Sequence, residues 1–532
     1  MKSTGKIYLI VKRLCNIILK GLLCNVYFGK RFAGVQDRGI VFFPYHENRL
    51  NCGLTGIVAF KHKKTTDDRV DVAVLNHMLK KLEDHKVQNC RQNDLCFESH
   101  YLGGKDHVEA MLKAVRSLKS NETFYHLFVD TQRQDELSEF AGRLSEIIES
   151  ESKFLSDHLG RLQSKDVDIL VRRIDNLKDI AWCLTSEIVG NFKKIKNLLG
   201  SENQNPNMNV VNIFKQINAV LNSIDRLEVR GRDQLTERSD QDVLVNSGIN
   251  INQTQDENGK KRVALALTYK IAAEVGRLGD NTRFLRKQIK DDVILQRLAG
   301  FSHEYHTISA HTRWASVGAI TEPNCHPVDN AILGNRVPEG GIIHACLNGD
   351  IDNYLELKKE HERQGCFPHK DITTDTKIIP LQIGKYIRQG FDVEEAFRRA
   401  VNDFEGSHAI SMHTDLAPGR LFLAQKGSGQ AIFVGIAEDH YVPSSEVYGL
   451  VEETPFFIKL DGEKEVEGRH GVTRGQIFIL NQEAGGGLDG IKAMYYDRTP
   501  LALGEDDIKY TEITSRDIDR QEFPHYFLKE SS

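Results

Sequence analysis

Residues 62–225 read almost throughout as helix, and the chain on both sides of them reads largely as strand. Within the block, LNHMLKKLEDH, HVEAMLKAVRSL, ELSEFAGRLSEIIES, FLSDHLGRLQ and DIAWCLTSEIVGNFKKIKNLL space apolar residues three and four apart, the period of an amphipathic helix. SENQNPNMN (201–209) interrupts it like a linker. Outside the block, short apolar runs alternate with turn residues: IVAF (57–60), VLVNSGIN, VALALTYKI, HAISMHT (408–414), RLFLAQ (420–425), AIFVGIA (431–437), FFIKL and GQIFIL (475–480). NQTQDENGKK (252–261) reads as a hairpin tip, and helices are predicted near 377–388 and 393–404. Strand-rich segments bracketed by helices imply an α+β fold, a sandwich of two sheets between helical layers. Residues 62–225 then form a large helical insertion with no chemistry of its own, in which Trp182 and Cys183 serve as core.

Composition excludes several classes. The 532 residues leave room for more than one domain, 40% are hydrophobic, and 27% are charged with a net charge of −5. That balance gives no basic surplus for nucleic acid. The nine cysteines are scattered, without a CxxC or a zinc-like Cys/His spacing, which suggests a reducing, cytoplasmic setting. No apolar run approaches the roughly 20 residues of a membrane span. Residues 1–36 hold seven lysines and arginines and no acid, interleaved with IYLIV and NIILKGLLCNVYF, so residues 1–51 read as a basic apolar leader that is either a targeting segment or removed.

Chemistry concentrates between His311 and Asp375. HTRWASVG (311–318), EPNCHP (322–327), IIHACLNGDIDNY (342–354) and ITTDTK (372–377) place Arg313 beside Trp314, an Asn348–Gly349 pair after an apolar run, and Asp375 in a Thr-Asp-Thr turn, all at loop-like positions. An arginine and an aspartate can hold a free amino acid by both ends, guanidinium on carboxylate and carboxylate on ammonium. An asparagine amide and a glycine N–H can donate to a developing oxyanion. Alone, an Asn-Gly pair is most often a hairpin turn. The missing nucleophile is offered by Cys52, which stands before Gly53 at the start of the strand ending at Phe60. Were the chain cut before Cys52, one residue would carry both a thiol and a free α-amine, whose unperturbed pKa of about 8 suits a general base.

These pieces, in this order, resemble the glutaminase half of glucosamine-6-phosphate synthase (glutamine–fructose-6-phosphate aminotransferase, isomerizing), a class II glutamine amidotransferase. CGLTG is similar to that family's Cys-Gly-x-x-Gly start, RLEVRGRD to its RLEYRGYD, and HTRWAS, NCHP, LNGDIDNY and TTDT to its HTRWAT, NAHP, HNGIIENY and ETDT. KGSGQAIFVG resembles its SGSPLVIG turn, and PHYFLKE its connector toward the sugar-isomerising domains. The resemblance covers 52–60 and about 226–530. It implies an N-terminal-nucleophile four-layer αββα sandwich, with the glutamine amidotransferase type-2 domain at 52–61 and 226–495 and a connector at 496–532 toward a missing or separate isomerase domain. It also implies roles. Cys52 is the nucleophile, Asn348 and the Gly349 N–H form the oxyanion hole, Arg313 and Asp375 hold the glutamine carboxylate and ammonium, Trp314 belongs to the loop closing over glutamine, and Arg230 orients the nucleophile. No metal or organic cofactor is implied. The partners are glutamine, fructose 6-phosphate through an isomerase domain, and a second copy or an isomerase chain.

The sequence departs from the pattern in five ways. Cys52 is internal as written; Val317 and Leu347 stand where the family has histidines; Gln234, Leu235 and Thr236 replace Ser-Ala-Gly; residues 62–225 are inserted; and the chain ends where the isomerase domains begin. Two other functions fit the same residues. One is a glutaminase with another acceptor, as in phosphoribosylpyrophosphate amidotransferases and asparagine synthetases. The other is a catalytically silent module that binds glutamine or a partner.

Overall fold

The computed structural model describes residues 52–61, 72–93, 95–227, 248–255, 261–272, 280–313, 317–332, 341–469 and 471–519, all within one unit, Leu50–Ser532. The leader and the PHYFLKE stretch lie outside the described residues. In chain order the strands are β1 (Gly53–Ala59), β2 (Gly248–Gln255), β3 (Lys261–Thr268), β4 (Thr307–Thr312), β5 (Val328–Asp329), β6 (Ile343–Gly349), β7 (His408–Thr414) and β8 (Arg420–Lys426). They continue with β9 (Phe433–Ile436), β10 (His440–Ser444), β11 (Phe456–Lys459), β12 (Val466–Gly468), β13 (Gly471–Thr473), β14 (Gln476–Asn481), β15 (Ile491–Tyr495) and β16 (Lys509–Tyr510).

Two six-stranded sheets result, ordered β16-β11-β9-β10-β1-β4 and β15-β14-β8-β7-β6-β5, beside the hairpins β2–β3 and β12–β13. Side chains alternate across a strand, and here each face has its own partner. Leu421 and Leu423 of β8, Ala409 of β7 and Phe478 of β14 share one apolar cluster with Val58, Val434, Tyr441 and Ile458 of the other sheet. Their neighbours Phe422, Ala424, Ile410, Met412, Ile477 and Ile479 face helices α11 (Ile378–Arg388) and α12 (Val393–Asp403) instead. The Asp392 carboxylate accepts the Glu395 N–H at 2.8 Å and so caps the start of α12. The fold therefore mixes helix and sheet, with the sheets face to face.

The helical block is built from α1 (Val72–Asp84), α2 (Lys105–Ser117), α3 (Asn121–Val129), α4 (Thr131–His158), α5 (Ser164–Trp182), a π-helical turn (Cys183–Val189), α6 (Gly190–Lys196) and α7 (Met208–Leu227). Their apolar stripes converge on a single core that includes Leu79, Met111, Phe140, Leu177, Phe192 and Phe214. It is joined by Ile289 of α8 (Asp280–Asp291), which is followed by α9 (Val293–Leu298) and then α10 (Tyr354–Arg363). Among the described residues no helix is long and apolar enough to cross a membrane.

Helix α7 faces two ways. Val211 and Phe214 enter the block's core, while Ala219 and Val220 pack on Ile57 of β1 and on Ile308 and Ala310 of β4. The Ser223 hydroxyl donates to Thr55 Oγ1 at 2.8 Å. A Cβ on Gly53 would lie 2.7 Å from Leu227 Cβ, so only glycine lets helix and strand come this close. Farther along, the buried Glu452 accepts from Asn191 at 2.8 Å and Asn222 at 3.0 Å and pairs with Arg226. A cavity of about 10 Å³ beside it, lined by Lys119, Glu187, Asn191, Lys215, Glu452 and Glu453, has room for about one water. The last turn of α5 reaches the C-terminal stretch: the Trp182 indole donates to Ser515 Oγ at 2.7 Å and Arg516 pairs with Asp179 at 2.7 Å.

Burial pushes the Glu452 carboxyl up, but Arg226 and Lys194 outweigh it and hold the group below the usual carboxylate range. Its contribution to stability is therefore present above the unfolded carboxylate pKa and is lost as the pH falls through the lowered value. Removing one partner of a buried pair typically costs about 3–5 kcal/mol. Glu452→Ala should lower stability by that order in urea denaturation near neutral pH, and by less in acid.

Candidate functional site

Strand β1 is an interior strand of its sheet, next to the edge strand β4. It pairs with β4 on one side (Gly53 opposite Thr312) and β10 on the other (Thr55 opposite Ser444). The Gly53 N–H donates to Thr312 Oγ1 and the Leu54 N–H to Ser445 Oγ, each at 3.0 Å. Continuing the β1–β4 register one residue brings Cys52 level with Arg313. Cys52 is half-buried and not in a disulfide.

The second sheet meets it there. Asn348 and Gly349 are the last two residues of β6, not loop residues as their Asn-Gly spelling suggests. They stay in register with Ala409 and His408 of β7, and Gly349 ends the strand with a φ of +92°. Asn348 is 1% exposed, and its Nδ2 donates to the Cys52 carbonyl at 3.0 Å. The candidate nucleophile and the candidate oxyanion donor, 296 residues apart, are thus in direct contact.

Asp375 begins a short 3-10 turn and is buried. Its carboxylate accepts the N–H groups of Ile351 and Thr376, each at 2.9 Å. Burial pushes its carboxyl up despite those bonds, and Asp350 adds to the rise. A nearby cation would restore the charged form. Arg313 donates to the carbonyls of Ala319 (3.2 Å) and Val317. Burial acts against its charge, which Cys325, Cys52 and Asp375 support. Cys52, Arg313, Asn348, Gly349 and Asp375 therefore gather at one place. Trp314 and Arg230 lie outside the described residues.

Several polar residues of the same motifs had no role assigned from sequence. Asn324 is fully buried; its Oδ1 accepts from the N–H of Thr373 (2.7 Å) and Thr374 (2.9 Å), and its Nδ2 donates to Thr321 Oγ1 and the Asp371 carbonyl. It thereby fixes the loop that delivers Asp375. His311 and His326 connect further: His311 Nε2 lies 2.7 Å from Asn348 Oδ1, His326 Nδ1 3.4 Å from His311 Nε2, and His326 Nε2 2.8 Å from Thr376 Oγ1. Burial holds the His311 imidazole down to about 4 and that of His326 well below its ordinary value, so both are neutral near pH 7. The available signal was their place inside HTRWAS, NCHP and TTDT. Among the described residues no group of three or more His, Cys, Asp or Glu could hold a metal ion.

No family model matches the chain. It is similar to curated proteins named glutamine–fructose-6-phosphate aminotransferase (isomerizing). Identity is 36% over 152 residues with that of Methanothermobacter thermautotrophicus, covering 29% of this chain and 24% of the relative. With that of Streptococcus mutans it is 27% over 315 residues, covering 58% and 40%. With that of Bacillus subtilis it is 29% over 224 residues, covering 42% and 31%. The resemblance read from the motifs holds, and the matches span at most two fifths of these relatives' length. Among solved structures, the glutamine phosphoribosylpyrophosphate amidotransferase from B. subtilis complexed with ADP and GMP is 16% identical with a TM-score of 0.33, covering 54% of this chain and 48% of that one.

Gly349 makes the strand end testable. A Cβ there would lie 2.2 Å from the Ser407 carbonyl oxygen, on a backbone that L-residues rarely adopt. The left-handed conformation alone costs a non-glycine residue about 1–2 kcal/mol. Gly349→Ala should destabilise the fold by at least about that much in chemical denaturation.

Proposed function

We propose that this chain is a glutamine-hydrolysing amidotransferase unit that supplies ammonia for converting fructose 6-phosphate to glucosamine 6-phosphate. The observation that carries the reading is the Asn348 amide on the Cys52 backbone, with Gly349 beside it and Arg313 and Asp375 in electrostatic reach. The relatives' names supply the acceptor. The packing of α7 and of α11 and α12 on opposite outer faces of the paired sheets supports a four-layer αββα sandwich of the N-terminal-nucleophile kind.

In this reading Arg313 takes the glutamine α-carboxylate and Asp375 its α-ammonium, placing the side-chain amide at Cys52. The Cys52 thiol gives its proton to the residue's own α-amine, freed by removal of residues 1–51, and Sγ attacks the amide carbon. Asn348 Nδ2 and the Gly349 N–H stabilise the oxyanion. The proton passes to the leaving nitrogen, ammonia departs, and water hydrolyses the glutamyl thioester to glutamate. Trp314 belongs to the loop that closes over glutamine, and Arg230 orients the nucleophile. Fructose 6-phosphate is held by an isomerase domain outside this sequence, reached through the connector at 496–532, in the same chain or in a partner, and the unit works in the cytoplasm as a homo-oligomer or with an isomerase chain. The helical insertion at 62–225 is the block built on α1–α7.

Intact-mass analysis with N-terminal sequencing tests the first requirement, which is a mature chain beginning at Cys52. That chain should release glutamate from glutamine, Cys52→Ala should abolish the release, and Asn348→Ala should lower kcat about 100- to 1000-fold. A purified chain that keeps Met1 through Asn51 would exclude the α-amine as base and favour a silent glutamine-binding module.

A further inference from the structure

The protonation of the two histidines beside Asn348 follows from their partners. The Cys52 carbonyl can only accept, so the Asn348 group facing it is the NH2, and Asn348 Oδ1 is turned toward His311. At 2.7 Å from that oxygen, His311 Nε2 must carry a hydrogen. The Leu347 N–H, at 3.5 Å, donates to His326 Nδ1, which is therefore the bare nitrogen, and His311 Nε2 lies 3.4 Å from it as a second, weaker donor. His326 Nε2–H then donates to Thr376 Oγ1 at 2.8 Å, leaving the Thr376 hydroxyl hydrogen for Asp375 Oδ1 at 3.5 Å. The single His311 Nε2 hydrogen is thus shared unequally, held by Asn348 Oδ1 at 2.7 Å with His326 Nδ1 as the more distant acceptor at 3.4 Å, and the chain of bonds runs in one direction at each link.

We propose that His311 is the positioning residue that locks the Asn348 amide with its NH2 toward Cys52, and that His326 and Thr376 tie this lock to Asp375. This rests on the glutaminase reading for its catalytic meaning. An amide rotated by 180° would set Oδ1 against the Cys52 carbonyl and against any oxyanion formed on the substrate. Nothing in an asparagine itself distinguishes the two orientations; the Cys52 carbonyl in front and the His311 donor behind do so together. The same link makes the acid that receives the ammonium and the amide that receives the oxyanion parts of one hydrogen-bonded unit.

Two measurements test this, one independent of catalysis. In the wild-type protein labelled with 15N-histidine, NMR should show His311 and His326 as neutral Nε2–H tautomers throughout pH 6–8. An Nδ1–H tautomer or a cationic ring at His311 overturns the proposal even if the enzyme is active. For kinetics, His311→Leu should lower kcat for glutamine hydrolysis about 10- to 100-fold with KM within about threefold, the pattern of an interaction used in the transition state. His311→Gln, whose Nε2 can donate from nearly the same place, should recover kcat to within about fivefold of wild type. Equal kcat in His311→Leu and wild type overturns the proposal, as does a His311→Gln no better than His311→Leu. A folded wild-type chain beginning at Cys52 with no glutaminase activity would defeat the functional reading, and the tautomers would still decide the lock.

Discussion

The bond from Asn348 Nδ2 to the Cys52 carbonyl joins the two sheets at the point where the site forms. Cys52 immediately precedes β1, and Asn348 ends β6 in the facing sheet. Neither residue can be placed without the other sheet being in register. Each register is set by alternation: a one-residue slip of β7 or β8 would turn Ile410, Met412 or Phe422 away from α11 and α12 and into the space between the sheets. The interior packing of both sheets thus determines one short polar contact at their margin.

The candidate site is mostly buried neutral polar groups, nearly all of them hydrogen-bonded, with few charges. Asn324, His311, His326 and Thr376 pass hydrogen bonds between backbone and side chains, with His311 Nδ1 the one buried atom among them left without a partner. Buried polar groups without partners are costly, so such a set fixes one arrangement more firmly than an apolar lining would. Arg313 differs. In the described structure its guanidinium holds the carbonyls of Val317 and Ala319, so taking a substrate carboxylate would exchange those bonds for new ones.

Much of this was legible in the sequence, and the gaps have physical causes. Strands with clear alternation were readable nearly to the residue, as with HAISMHT for β7 and the helix ending at Arg388. Arg313, Asn348, Gly349 and Asp375 were readable as a set because their order matched a known pattern, and the structure brings them to Cys52. The Asn-Gly spelling of Asn348 and Gly349 is a turn signal and points to a loop, whereas here the glycine's positive φ ends a strand. The sequence does not single out His311 and His326, because a neutral imidazole linking two buried groups leaves no charge or spacing pattern. The double role of α7 was hidden for a similar reason. Its periodicity shows a helix, and apolar residues on two faces do not say that one face meets helices and the other a sheet.

That double role bears on how such a block can be gained or lost. An inserted segment is usually imagined as hung from two closely spaced ends, removable without injury to its host. Here the last helix of the helical block, α7, walls one sheet, with Ala219, Val220 and Ser223 seated on the strand that follows Cys52. Excising the compositional unit would strip the cover from Ile57, Ile308 and Ala310 and leave an apolar sheet face open to water and to self-association. The helical block and strand β1 thus depend on each other for cover, and a chain shortened across 62–225 would need another apolar surface against Ile57, Ile308 and Ala310.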